Sequence, residues 1–318
     1  MDGNKNEIAK GYAALISSTI LWGSLYVALK FLSEAITPFM MLACRFFIAS
    51  LFIGLFYGRK IMNKKTVHVR YGRLKIFLLG FVGYFLTFYT QFLGTKMTNA
   101  SISSLITTFS PVIIMVLAVI VLKEKVSKSM ILSMGMLIIG ALVILGRPGE
   151  GFKISGVLML LLSAFLWAIA SLLIKVLSKD YDVTYLSFVT FVITFASALP
   201  GTVAEIAVGS FDITKINIMV IVALLWCSIC STLLANWCWN YALSKLESSV
   251  CGVFYTLQVV VGSALGVILL NEKITINFII GSIIVIAGVI CPNIICSRSC
   301  VKGVENEQKD NRNIGERL

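Results

Sequence analysis

Leu21-Trp22-Gly23, followed by Lys30, is spelled again as Leu166-Trp167-Ala168 followed by Lys175, 145 residues on (175 − 30 = 145). Further along, Glu124-Lys125 returns as Glu272-Lys273 (272 − 124 = 148). Between these markers the chain repeats a five-segment hydrophobic pattern, so it reads as a duplicated membrane unit. An odd number of spans per unit turns the second copy upside down in the bilayer. That is the inverted-repeat architecture of secondary transporters.

Hydrophobic residues make up 58% of the chain and charged ones 13%. A water-soluble globule of that composition would leave most of its surface apolar, so the chain belongs in a membrane. Runs of about 20 apolar residues cross a hydrocarbon core of about 30 Å as helix. The pattern predicts ten spans, at 10–31, 38–57, 75–95, 100–121, 129–146, 155–177, 184–207, 216–243, 249–270 and 275–296. The fold class is therefore an all-α integral membrane protein, two inverted five-helix repeats around a central cavity. The domains run 1–148 and 149–297, divided near Gly146-Arg147-Pro148-Gly149, with a polar tail over 298–318 read as disordered and cytoplasmic. Residues 10–31 lack a short apolar core with a cleavage site, so the first helix is expected to be retained.

The net charge of +12 resides in particular loops, and topology accounts for it without a nucleic-acid partner. With both termini cytoplasmic, the 27 Lys and Arg sort as 20 inside, 6 outside and Arg45 within a span. Arg59, Lys60, Lys64, Lys65, Arg70, Arg73 and Lys75 crowd one loop, whereas its counterpart, 209–215, carries only Lys215. Equivalent loops of opposite charge bias are what an inverted duplication requires, and a multi-pass protein of the cell membrane is expected. Eight cysteines fall mostly inside apolar spans, so no disulfide framework is implied, and Cys227-Ser228-Ile229-Cys230 lacks a second ligand pair for a metal. No metal and no cofactor are expected.

The order Thr98-Asn99-Ala100, Pro111, Glu124, Gly135 and Gly140, repeated from Glu247 to Gly288, resembles the second half of an EamA-type repeat of the drug/metabolite transporter superfamily. Leu21-Trp22-Gly23 and Pro38 to Arg45-Phe46 resemble that family's opening, so the likeness covers nearly the whole chain. The resemblance implies a ten-helix carrier with a cavity between its halves. Such carriers move small organic metabolites such as amino acids, usually outward, and are not enzymes. In the second copy Val259 stands for Pro111 and Thr190 for Arg45, so the roles of those two cannot be symmetric.

Uncharged polar residues deep in a span face a cavity or a neighbouring helix, because lipid offers them no partner. Tyr84, Phe88 and Gln91 share one face of helix 3, and Leu233, Trp237 and Asn240, with Asn236 beside them, form the matching stripe of helix 8. Thr107 and Ser110 in helix 4 are matched by Tyr255 and Gln258 in helix 9 (258 − 110 = 148). These residues, with Trp22 and Trp167 midway through helices 1 and 6, are the expected substrate-binding set. Rings and amides together suit a zwitterionic or amphipathic solute. Gln91 and Asn240 equally suit interhelical hydrogen bonds that only join helices. Pro111 frees a carbonyl near Thr107 and Thr108, for a flexing helix or a static kink. Arg45 requires a partner, since an arginine at the midplane costs about 3 kcal/mol. Glu34, Glu205 and Glu272 lie on its side of the membrane as structural partners, and a substrate carboxylate is the alternative. Glu124 and Glu272 end helices 4 and 9 at opposite faces, where they serve as gates or as solvated anchors. A lipid-acting intramembrane enzyme and a helical scaffold are competing functions. The first needs converging acids, bases or metal ligands that this chain does not offer, and the second needs no paired polar residues.

Overall fold

The computed structural model describes residues 2–32, 35–63, 72–97, 109–124, 128–145, 153–210, 212–270 and part of 276–288. Among the described residues there is helix and no strand. Helices α1 (Asp2–Leu32) and α2 (Pro38–Asn63) are followed by α3, which runs Gly72–Leu78, a π-helical Leu79–Leu86, then Thr87–Met97. Helix α4 runs Ser110–Leu117 into a π-helical Ala118–Leu122, followed by α5 (Lys128–Leu145), α6 (Ile154–Leu177) and α7 (Val183–Ala207). Helix α8 runs Ile218–Trp226, a π-helical Cys227–Leu234 and Ala235–Lys245. Helix α9 is interrupted at Thr256, between Ser248–Tyr255 and Leu257–Leu270.

Helix thus occupies each of the first nine expected spans. The first turns of the fourth, most of the tenth, the boundary at 146–149 and the tail lie outside the described residues. Among the described residues, five helices are long and apolar enough to cross a membrane: Pro38–Gly58, Gly72–Thr95, Ile154–Leu177, Val183–Ala207 and Ile218–Lys245. Their outer faces are apolar, with Leu55, Phe56, Ile154 and Ile218 exposed, whereas Ser, Thr and Asn fill the interior. Lipid cannot hydrogen-bond the backbone or a hydroxyl, so most hydroxyls turn back onto their own helix. Thr90, Ser171, Ser187 and Thr202 each donate to a carbonyl four residues back.

The packing is unchanged when the halves are exchanged. Helix α1 packs on α8 and α9, and α6 packs on α3 and α4; α2 lies on α7 and α8, and α7 lies on α2 and α3. Helix α1 runs antiparallel to α8, since Gly11 meets Leu246 at one end and Trp22 reaches Ser231 further along. Helix α3 runs antiparallel to α6 in the same manner, with Gly83 against Ala170 and Gly94 against Leu160. The counterparts α2 and α7 also run antiparallel, for Phe39 meets Gly201, Phe46 meets Phe191 and Gly54 meets Phe188. Close approach needs glycine at two crossings between the halves. A Cβ on Gly23 would sit 2.6 Å from Val261 Cβ, and one on Gly94 would sit 2.6 Å from Leu160 Cγ.

Candidate functional site

Four buried rings meet where α1, α6, α8 and α9 converge. Trp22 lies 5.5 Å from Trp167, 5.4 Å from Trp239 and 5.7 Å from Tyr255, centroid to centroid. Trp239 and Tyr255 are 5.5 Å apart, and Trp167 lies 6.1 Å and 6.4 Å from them. Rings this close pack on one another and leave no space for a solute between them. Tyr84 and Phe88 extend the cluster from Trp167, at 6.0 and 5.9 Å, to Phe46 and Phe191, which are 5.4 Å apart. Phe46 and Phe191 are counterparts (191 − 46 = 145), as are Trp22 and Trp167, so each pair meets across the pseudo-two-fold relation.

The two π segments aim this cluster. A π turn releases carbonyls from the helical ladder, and donors of the opposite half take them. Trp22 Nε1 donates to Ser231 O at 3.1 Å, Ser163 Oγ to Thr87 O at 2.9 Å, and Thr194 Oγ1 to Gly80 O at 3.1 Å. The segments lie 148 residues apart at both ends (227 − 79 = 148; 234 − 86 = 148). On that spacing Gln91 matches Trp239 and Tyr84 matches Thr232. Matching Tyr84, Phe88 and Gln91 with Leu233, Trp237 and Asn240 is therefore displaced by one residue, or about 100° around the helix. Trp237 stands outside the cluster, stacked on Tyr241 and donating to Thr184 Oγ1 at 3.2 Å. Trp239, which sequence reasoning missed, takes the central place. The 148-residue offset already used for Ser110 and Gln258 would have found it.

The amides play different parts. Asn240 accepts from Tyr84 Oη at 3.1 Å and donates to Ser187 Oγ at 3.0 Å, joining α3, α8 and α7. Both ends of that side chain are engaged. The side-chain amides of Gln91 and Gln258 make no hydrogen bond among the described residues, and they stand one turn from Phe88 and Tyr255. Asn236 donates through Nδ2 to Thr232 O at 2.7 Å and Ser231 O at 3.4 Å, which leaves its buried Oδ1 without a partner. The indole N–H groups of Trp167 and Trp239 are buried and unpartnered as well.

Arg45 is 4% exposed and donates through Nε to Thr232 Oγ1 at 2.9 Å, with its guanidinium 5.8 Å from the Phe88 ring centroid. Among the described residues no carboxylate pairs with it. Glu205, expected nearby, instead accepts from the N–H groups of Phe39 and Met40 at 3.3 and 3.2 Å, capping α2. Glu124 does the same for α9, accepting from Ser248 N at 3.1 Å, and Lys175 Nζ donates to Leu246 O beside it. Each of these acids thus caps a helix of the opposite half. Ser110 and Pro111 are buried in the first turn of α4, and Pro111 O lies 3.3 Å from where a Cβ on Gly252 would stand, so α4 and α9 touch there. Thr107, Thr108, Glu34 and Glu272 lie outside the described residues. Near the start of α1, Glu7 meets Lys245 at 2.7 Å and Lys10 at 3.0 Å. Hydrogen bonds from Lys245, then from Lys10, hold its carboxyl down at about 2.

Long apolar helices with a polar interior define a multi-pass membrane protein, and the exchange-symmetric packing assigns it to a two-repeat class. The chain belongs to the EamA-like transporter family, which it matches twice, over residues 9–146 and 154–293. It is 26% identical over 300 residues to "Uncharacterized transporter YoaV" of Bacillus subtilis, covering 92% of this chain and 99% of that one. It is 23% identical over 285 residues to "Probable amino-acid metabolite efflux pump" of Salmonella typhimurium, covering 87% and 92% respectively. A solved structure described as "Crystal structure of protein" superposes with a TM-score of 0.75 at 17% identity, over 92% of this chain and 98% of that one, and so shares the fold.

Proposed function

We propose that the protein is a secondary carrier exporting small organic metabolites, amino acids among them, by alternating access. It has ten spans in two inverted repeats, 1–148 and 149–297, with both termini and the 298–318 tail on the cytoplasmic side of the cell membrane. The observation that carries this reading is the ring cluster drawn from both halves, in which counterparts meet. Rocking the halves about that contact parts the rings towards one face at a time, and a bound solute biases which face is open. The antiparallel run of α2 and α7 supports the inversion, and the free amides of Gln91 and Gln258 supply polar lining beside the rings. Outward transport and the amino-acid class come from the likeness to the Salmonella efflux pump.

Counterflow in proteoliposomes tests it. Purified protein is expected to exchange labelled amino acids across the bilayer, and Trp22→Ala is expected to slow that exchange at least tenfold. Absence of movement for every amino acid and related metabolite tested would overturn the reading.

A further inference from the structure

We infer that Arg45, Thr232 and Asn236 form a head-group subsite that reads a free carboxylate beside a protonated amine; this rests on the carrier reading above. An arginine buried among apolar helices is costly unless its donors are met. Among the described residues only Nε is engaged, and Thr232 Oγ1, its acceptor, is itself fixed by donating to Cys227 O at 2.8 Å. Thr232 therefore positions the guanidinium and leaves the terminal nitrogens as a planar two-donor fork. That fork matches a carboxylate, with which it forms two parallel charge-assisted bonds.

One turn along α8, Asn236 supplies the complementary group. Its Nδ2 spans the carbonyls of Ser231 and Thr232, which fixes the amide orientation and leaves Oδ1 as a buried acceptor without a donor. Thr232, which sets the fork, and Asn236, which holds the acceptor, stand one turn, about 5.4 Å, apart on α8, an arrangement that suits the two ends of a zwitterion. A turn further, Trp239 presents an unpartnered N–H and the edge of the ring cluster, where the apolar part of the solute would lie. Exchanging the halves gives no second copy of this device. Thr190 stands for Arg45 and donates to Leu186 O and Ser187 O at 2.7 and 3.1 Å, and Phe88 stands for Asn236. The carrier thus holds one head-group subsite and takes one solute per cycle.

The test compares counterflow of the mixed common amino acids with that of the mixed amines left when each loses its carboxylate. For the wild type, flux of the acids is expected to exceed flux of the amines at least tenfold, and in Arg45→Gln the ratio is expected to fall to about one. Arg45→Lys keeps the charge and loses the fork, so it gives an intermediate ratio and serves if Arg45→Gln does not fold. Thr232→Val lowers the ratio through Arg45, a change in selectivity that a purely structural role would not produce. Equal flux of acids and amines in the wild type, or an unchanged ratio in both Arg45 variants, overturns the subsite and leaves the carrier standing. Failure of both mixtures to move overturns both.

Discussion

Arg45 and Thr190 hold the same place in the two halves (190 − 45 = 145), yet one brings a buried cation to the interior and the other satisfies its own hydroxyl within α7. The same contrast separates Trp22, tethered to Ser231 O, from Trp167, whose N–H has no partner. The helices of the halves are interchangeable, and the side chains at the centre are not. A frame of two equivalent halves provides two alternative arrangements of nearly equal energy, as a rocking carrier requires. A solute can be read by a single unpaired subsite, because the frame does not depend on which side chains line it.

The largest expected effect comes from breaking the frame at a close crossing of the halves. Gly23→Leu drives a side chain into Val261, and overpacking there is expected to cost about 3 kcal/mol. A lower melting temperature and a smaller folded yield in detergent would register it. The counterpart position is already Ala168, and Ala168→Gly is expected to cost only about 1 kcal/mol. Equal losses for the two would contradict the asymmetry of the crossings.

Next come the two amides that sequence reasoning treated alike. Asn240→Leu strands Tyr84 Oη and is expected to cost about 2 kcal/mol, read in the same melts. Gln91→Leu removes no hydrogen bond made among the described residues, so it leaves the stability within about 0.5 kcal/mol of the wild type while slowing counterflow. A smaller effect sharpens the register of α8. Trp239→Phe loses no hydrogen bond made among the described residues but leaves a small cavity, so it is expected to cost about 1 kcal/mol of stability and to slow flux about tenfold, equivalent to about 1.4 kcal/mol in the barrier. Trp237→Phe loses its bond to Thr184, costs about 1 kcal/mol of stability and leaves flux alone.

The smallest effect lies outside the membrane-spanning region. Glu7 is held at about 2, below its ordinary 4.5, so its pairing with Lys245 and Lys10 is complete above about pH 4.5 and is lost only as pH falls through about 2. The difference in melting temperature between Glu7→Gln and the wild type should therefore be small and the same at pH 7 and pH 5.

Much of this arrangement was legible in the sequence. The Leu-Trp spacing gave the duplication, and the apolar runs placed a helix in each of the first nine spans, although α1 begins eight residues before its span and α2 ends six residues after it. Trp22, Trp167, Tyr84, Phe88 and Tyr255 were placed together because deep rings at matched positions converge when the halves pack. The register of α8 was lost because the offset between the halves changes from 145 to 148 before helix 3, and a one-residue error there gives Gln91 the match Asn240 in place of Trp239, and Phe88 the match Trp237 in place of Asn236. The partners of Glu205 and Arg45 were not legible either, since charge alone pairs them with each other. In the structure the N–H groups that open α2 take the acid, and a hydroxyl on α8 takes the arginine.

The central claim, that the halves are inverted across the bilayer, is tested most directly by labelling single cysteines in a background from which the eight native ones have been removed. A membrane-impermeant thiol reagent applied to intact cells is expected to modify Lys215→Cys and to reach Lys64→Cys only after the membrane is opened. Modification of both from the same side would contradict the account.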